Sequence, residues 1–358
     1  MRWRPVTARR GKAGEAARRL ATVLILAAAA LGAMTQSGAA FEQGASFTIM
    51  PGLTMGIPFA NTHSPGFYFY SLGNYGTSSV PRDVAPGDAS IKADIPDYVP
   101  ALLWTTPWTL FGAHYAVLVA QPVAQVKVYG EIPGRGWYTS QGGGLRNTII
   151  TPINLSWHLP GGWYVGAGLN THVPDARTTG INGLDSAGQP YWTLEPTFAV
   201  SYLKDGYDFS ATVLYDVYTT NTYSHVTDGQ AIYLDLTATK KFGSYEIGPV
   251  GYVAAQTTRD TGGNPMGFVG SAGAINSCEP EPGGAYNYCV RAAKAGVGGM
   301  VAYDFARGNI ALIATQSVLS HGQGGLDGWR VWTQLSFKLY GDGVSPPLQS
   351  SPFDGLFH

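Results

Sequence analysis

The feature that most constrains this chain is a two-residue hydrophobic rhythm, repeated in segments of roughly eleven residues that each have one apolar and one small or polar side. From Gly162 to His172, Trp163, Val165, Ala167 and Leu169 fall on one side, and Gly166, Gly168, Asn170 and His172 on the other. Between Tyr207 and Tyr218, Phe209, Ala211, Val213, Tyr215 and Val217 oppose Asp208, Ser210, Thr212 and Asp216. The pattern returns with Ile232, Leu234, Leu236 and Ala238 against Tyr233, Asp235, Thr237 and Thr239. It returns again with Val331, Thr333, Leu335, Phe337 and Leu339 against Trp332, Gln334, Ser336 and Lys338. Period two is that of a strand whose two faces meet different media. Strands are expected at Gly66–Tyr75, Ala101–Leu110, Gly112–Pro122, Arg146–His158, Gly162–His172, Tyr191–Tyr202, Tyr207–Tyr218, Gly229–Lys241, Tyr245–Thr257, Lys294–Asp304, Asn309–Ser317 and Trp329–Tyr340. No segment after residue 40 carries a helical period.

The connections narrow the choice between a soluble sandwich and a membrane barrel. Tight turns at Pro160-Gly161-Gly162, Lys204-Asp205-Gly206, Phe242-Gly243-Ser244 and Ala306-Arg307-Gly308-Asn309 take turns with long connections. The long ones are Val173 to Pro190, Thr219 to Gly229, Thr258 to Ala293 and Ser320 to Gly328. Nothing in a sandwich imposes that parity, whereas outer-membrane barrels pair short periplasmic turns with long outer loops. The expectation is an all-β chain forming a single antiparallel transmembrane up-and-down β-barrel of about 12 strands (12–14), in the bacterial outer membrane. Trp157, Trp163, Trp192, Tyr202, Tyr207, Tyr245, Tyr303 and Trp329 stand at strand ends, where interfacial aromatic girdles belong.

Composition supports this architecture. Only 13% of residues are charged, about half the share usual in a soluble domain, while 45% are hydrophobic. A mean hydropathy of -0.01 excludes a bundle of membrane helices, which would raise it well above zero. Residues 1–40 read as a signal peptide: seven Arg and Lys side chains, an apolar run from Leu20 to Leu31, then Ser37-Gly38-Ala39-Ala40 as a small-residue cleavage site before Phe41. Residues 41–65 read as an N-terminal plug or a loose periplasmic segment, 66–340 as the barrel, and 341–358, with Pro346, Pro347 and Pro352, as a C-terminal tail. Seven of the 22 basic residues but one of the 23 acidic ones precede Phe41, so the remainder carries a formal charge of -7. Such a chain offers no electrostatic footprint for nucleic acid. Cys278 and Cys289 form an isolated pair in a Gly/Pro-rich stretch, which in an exported protein reads as a disulfide; no His stands near them at zinc-ligand spacing.

Scattered matches along the chain carry a resemblance. Pro51-Gly52 and Pro65-Gly66-Phe67-Tyr68 open it, followed by Asn154-Leu155-Ser156-Trp157-His158 and by Gly166-Ala167-Gly168-Leu169 with Pro174. Trp192-Thr193-Leu194-Glu195-Pro196 and Ser201-Tyr202 continue it. Its best block is Asn221-Thr222, Asp228-Gly229, Asp235 and Ile247-Gly248-Pro249-Val250-Gly251-Tyr252 with Gln256 and Asp260. The chain resembles the outer-membrane family labelled "MetA-pathway of phenol degradation". The resemblance implies a barrel akin to the long-chain fatty-acid channels and passive uptake of small hydrophobic or aromatic compounds.

With the apolar faces against lipid, the opposite faces line the lumen. The expected lining includes Asn154, His158, Asn170, His172, Glu195, Tyr233, Asp235, Tyr252, Gln256 and Trp332, together with Ser156, Asp208, Asp216, Glu246, Asp304 and Lys338. Two other functions compete with aromatic uptake: a general diffusion porin, and a structural or adhesive outer-membrane barrel. Positive charge on the inward faces reads as scarce, Lys294 and Lys338 being nearly alone, and a porin constriction favours both signs of charge. Ser156 and His158 share one strand face, but no oxyanion site or Gly-x-Ser-x-Gly elbow accompanies them, so no catalytic residue is assigned. No cofactor or metal motif occurs. The implied partners are the lipid bilayer and lipopolysaccharide, the outer-membrane assembly machinery, and small hydrophobic or aromatic solutes.

Overall fold

The computed structural model describes residues 41, 46–80, 90–132, 136–177, 186–223, 225–262, 291–322 and 325–341. Residues 1–40, read above as a signal peptide, Cys278 and Cys289, and residues 342–358 lie outside the described residues.

The strands are, in chain order, β1 (Gly66–Tyr75), β2 (Thr77–Ser79), β3 (Ser90–Asp94), β4 (Asp97–Leu110), β5 (Ala113–Ala120) and β6 (Val123–Ile132). Then come β7 (Gly136–Leu145), β8 (Ile149–Leu159), β9 (Trp163–His172), β10 (Thr193–Lys204), β11 (Tyr207–Tyr218) and β12 (Val226–Thr227). Last are β13 (Ala231–Phe242), β14 (Tyr245–Gln256), β15 (Thr261–Gly262), β16 (Ala293–Phe305), β17 (Gly308–His321) and β18 (Asp327–Tyr340). Neighbours pair antiparallel in the order β1-β4-β5-β8-β9-β10-β11-β13-β14-β16-β17-β18. The circuit closes where β18 returns to β1, from Phe67 opposite Tyr340 to Tyr75 opposite Val331. Closure removes the free edges that a bilayer does not tolerate. All twelve expected strands belong to this ring, with ends shifted by a few residues.

Tight turns gather at one end. Phe111-Gly112 joins β4 to β5 and Asp205-Gly206 joins β10 to β11, with φ of 53°, 74°, 54° and 75° in that order. Positive φ at both central positions is the geometry whose twist matches that of the flanking strands, and glycine adopts it without steric penalty. The strand ends that flank the long connections lie at the opposite end, the loop end.

One expectation requires correction at the loop end. The expected strand positions leave residues 78–100 and 123–145 without a strand, yet both hold strands. β1 continues past Gly76 into β2, β3 leads into β4, β5 passes Gln121-Pro122 into β6, and β7 leads into β8. Together β2, β3, β6 and β7 prolong the sheet beyond the ring. Pro96 and Pro122 sit at the joints because proline has no N–H for the ladder; their carbonyls instead accept from the amides of Gln125 and Arg146. This extension carries no clean apolar face, and Gly142-Gly143-Gly144 reads as a turn, so alternation does not reveal it.

The usual burial of a soluble protein is inverted. Leu102, Phe198, Ile247, Val297 and Leu312 stand exposed on the outer wall, while Glu195, Asp216 and Asp235 are at most 3% exposed on the inner one. An apolar exterior on a closed barrel requires lipid around it: a charge on the lipid face at mid-membrane costs about 2–4 kcal/mol. Trp108, Trp163, Tyr207, Tyr245, Tyr303 and Tyr340 border this zone at the turn end, and Tyr75, Tyr98, Trp192 and Trp329 at the loop end.

Candidate functional site in the barrel lumen

Residues 46–65 run inside the ring and are held along one row of side chains. Tyr233, Asp235 and Thr237 alternate along β13, so all three point inward. The Tyr233 hydroxyl accepts from the Thr48 amide at 3.1 Å. The Asp235 carboxyl accepts from the Gly52 amide at 3.0 Å and from the Thr54 amide and hydroxyl at 2.8 and 2.7 Å. Thr237 Oγ1 accepts from the Gly56 amide at 2.8 Å. Other strands add ties: Gln334 Nε2 donates to the Met55 carbonyl at 2.7 Å, and Ser156 Oγ donates to the Ala60 carbonyl at 2.6 Å. An irregular backbone inside a membrane needs such partners, because neither lipid nor a dry interior offers others. Met55 fills the space among Val250, Tyr252, Met300, Ile313 and Trp332.

At its turn end the segment rests on aromatics. His63 stacks on Tyr68 with ring centroids 4.5 Å apart and hydrogen-bonds the Tyr70 hydroxyl. Burial, reinforced by the positive charge of Lys338, lowers its pKa to about 4, so the ring is neutral at pH 7.

Toward the loop end of β9, β10 and β11 lies a polar cluster. Asn170 accepts from the Thr151 hydroxyl at 2.6 Å and donates to Glu195 at 2.6 Å; His172 Nε2 stands 3.6 Å from the other Glu195 oxygen. Asp216 accepts from the hydroxyls of Tyr233 at 2.6 Å and Tyr218 at 2.9 Å.

The opposite side of the lumen is apolar and partly empty. A cavity of about 260 Å³ separates Leu53, Ile57 and Phe59 of the segment from a wall made by Tyr70, Leu72, Val99, Ala101, Leu103, Leu118, Ala120 and Ile149. Its turn-end mouth is polar, with Lys204, Asp208, Lys241 and Asp304. Toward the loop end a second chamber of about 30 Å³ is bordered by Thr48, Asn74, Asp97, Arg146 and His172. There Arg146 pairs with Asp97 at 2.7 Å and reaches the Thr48 carbonyl at 3.3 Å, and the buried Arg330 donates to Asn74 at 2.7 Å.

Of the ten lining residues expected from alternation, nine are buried on the inner side: Asn154, Asn170, His172, Glu195, Tyr233, Asp235, Tyr252, Gln256 and Trp332. They do not form one surface. Asn170, His172 and Glu195 cluster; Tyr233 and Asp235 hold the segment; Tyr252 and Trp332 pack on Met55. Gln256 bonds Asp260 at 2.7 Å near the loop end. Only Asn154, Asn170 and Glu195 border the larger cavity. The tenth, His158, is exposed at the turn end and stacks on Tyr164 at 4.5 Å, while Ser156 is engaged with Ala60. A second correction concerns positive charge: Arg146 and Arg330 also face inward, and Arg330 shares the inward parity of Trp332. Missed by alternation was the apolar inner wall, since a strand greasy on both faces shows none. Its signal was Val99-Pro100-Ala101-Leu102-Leu103 and Ala116-Val117-Leu118-Val119-Ala120, apolar on both sides.

Known proteins bear on this lumen. A solved outer membrane channel from Pseudomonas putida F1 superposes with a TM-score of 0.59 at 12% identity, over 81% of this chain and 99% of that one. The transport unit of the autotransporter AIDA-I from Escherichia coli reaches 0.45 at 10% identity, over 79% and 92% of the two chains, a likeness too loose to bear on function. The sequence matches no curated protein. The family model described as "Putative MetA-pathway of phenol degradation" matches residues 72–287, well over half of the chain. By that match, and by a closed barrel with a lipid-facing exterior, the chain belongs to this family and is a β-barrel of the bacterial outer membrane.

Proposed function

We propose that the protein is an outer-membrane channel for passive passage of small apolar or aromatic molecules, which move between residues 46–65 and the β1–β4–β5–β8 wall. The observation that carries this reading is the apolar cavity of about 260 Å³. An apolar protein cavity of about 150 Å³ already takes up benzene, so the space here suits one substituted ring or a fused pair. The path differs from one sliding between Trp332, Tyr252 and Tyr233, because those rings are packed against the segment. The matched family's description names phenol degradation, and the solved neighbour from Pseudomonas putida F1 is described as an outer membrane channel. Both fit the reading. On it, residues 46–65 are a plug, residues 1–40 direct export, and the outer rim meets lipopolysaccharide.

A specific observation favours a second reading, a general diffusion porin: Arg146 and Arg330 oppose Asp97 at the loop end. Protein-dependent flux into vesicles whose outer leaflet is lipopolysaccharide, which slows apolar solutes as a plain bilayer does not, separates the two. A hydrophobic channel raises the entry of toluene, an uncharged ring compound, well above that of arabinose or glucose, whereas a porin ranks hydrophilic solutes by size and charge. Arabinose entering as fast as toluene would refute the proposal.

A further inference from the structure

The two chambers of the lumen border the same four side chains, Ile49, Leu53, Val99 and Ile149. Their axial order is plain from the strands. On β1 the larger cavity touches Tyr70 and Leu72 and the smaller one Asn74; on β4 the larger touches Leu103, Ala101 and Val99, the smaller Val99 and Asp97. The chambers are therefore consecutive, and everything that passes between them crosses a ring in which each side chain is apolar.

Polarity changes abruptly at that ring. Outside it the small chamber, about 30 Å³, has room for roughly two waters and is edged by Asp97, Arg146, Asn74 and His172. Inside it the β1–β4–β5 wall is Leu72, Ala101, Leu118 and Ala120, while Thr151, Asn170 and Glu195, hydrogen-bonded to one another, border the cavity on the β8–β10 side. We infer that Ile49, Leu53, Val99 and Ile149 form the selectivity constriction of the channel, one that admits uncharged apolar solutes and stops ions and water by dewetting. An ion entering the ring must shed its hydration shell, and no oxygen or nitrogen side chain there replaces it. A neutral ring compound meets no such penalty, since its contacts with these four side chains replace its contacts with water. The charged groups beyond the ring, Arg146, Asp97 and Arg330, then act as the wet vestibule before the sorting step. Two members of the ring belong to the segment and two to the hydrogen-bonded wall, so widening requires only that Ile49 and Leu53 shift.

This inference rests on the lumen being a conduit, and the test keeps the two apart. The chain from Phe41 onward is inserted in planar bilayers for ion conductance in potassium chloride, and in vesicles with a lipopolysaccharide outer leaflet for toluene flux above that of protein-free vesicles. Wild type should conduct ions poorly. The pair Val99→Thr with Ile149→Thr adds hydroxyls with little change of shape at Val99 and should raise ion conductance several-fold, while toluene flux changes far less. Ile49→Ser with Leu53→Ser should do the same from the segment side and serves if the wall pair fails to fold, with heat-modifiable gel migration reporting the fold. Folded variants whose ion conductance equals that of wild type would overturn the ring as the constriction. So would a wild-type conductance already as high as that of a barrel lacking residues 41–65. Absence of toluene flux through wild type would instead overturn the proposed function, while the conductance comparison still decides the role of the ring.

Discussion

Asp235→Ala is the sharpest perturbation of the lumen, because three donors of the inner segment converge on that one carboxyl. A net contribution of about 1–2 kcal/mol per bond gives about 3–6 kcal/mol for the set, and the Gly52 and Thr54 amides are left without an acceptor in a dry interior. Asp235→Asn should cost less. It retains an acceptor oxygen for Gly52, and its NH2 group can donate to the Thr54 hydroxyl but leaves the Thr54 amide without an acceptor, so roughly one of the three bonds is lost. Hydrogen exchange followed by mass spectrometry in detergent micelles reads this directly at the backbone. Since 1.4 kcal/mol is a factor of ten, amides over residues 50–57 should lose about two orders of magnitude or more of protection in Asp235→Ala, and less in Asp235→Asn. The strand amides of β13 and β14 should keep theirs, because the barrel ladder does not depend on this side chain. If protection over residues 50–57 is unchanged in Asp235→Ala, the segment is held by the packing of Met55 and not by the carboxyl, and the reasoning fails.

Three further outcomes follow from the same geometry. Gly52→Val should dislodge the segment, since a Cβ there comes within 2.9 Å of the Tyr252 ring and 2.7 Å of Met55 at a φ of +99°; the combined cost is about 2–4 kcal/mol, read as faster leakage of small solutes from liposomes. The turn end of the segment should loosen as pH falls from about 6.5 to 4, because the docked His63, with its pKa lowered to about 4, binds protons less readily than a released one; its docking is complete above that window and weakest below it. Replacement by a neutral ring, His63→Phe, should flatten this pH dependence in proteolysis of the segment, and an unchanged profile would point to another group. The unboiled protein should migrate faster than the boiled one on a denaturing gel, as a closed barrel without free edges resists detergent; identical migration would argue against closure.

Much of the ring was legible because lipid enforces one rule along every strand. Trp163, Val165, Ala167 and Leu169 face outward and Gly166, Asn170 and His172 inward for the same reason that Phe209 and Asp208 separate on β11: a polar side chain on the lipid side is costly. The parity of short and long connections then set strand direction. The lip at the loop end was not legible. Val123-Ala124-Gln125-Val126-Lys127 and its partner beyond Gly136 lie past the apolar band, where no medium enforces a clean face, and their pairing is decided by the neighbouring strands.

The lumen divides in the same way. Sequence alone determined which residues turn inward on the strands that have one apolar face, since strand parity is local and a one-residue slip would present Glu195 or Asp235 to lipid. It also determined that these inward residues include acids and tyrosines in number. Only the tertiary structure decided what they do there. Tyr233, Asp235 and Thr237 became a clasp because residues nearly two hundred positions earlier lie against them. The apolar stretch of β4 and β5 became a cavity wall because the segment leans on β13 and leaves that side open. Contacts of such separation leave no periodic trace in the chain: strand alternation records the medium on each face, whereas the partner across the lumen is set by how twelve strands close and which wall the inner segment binds.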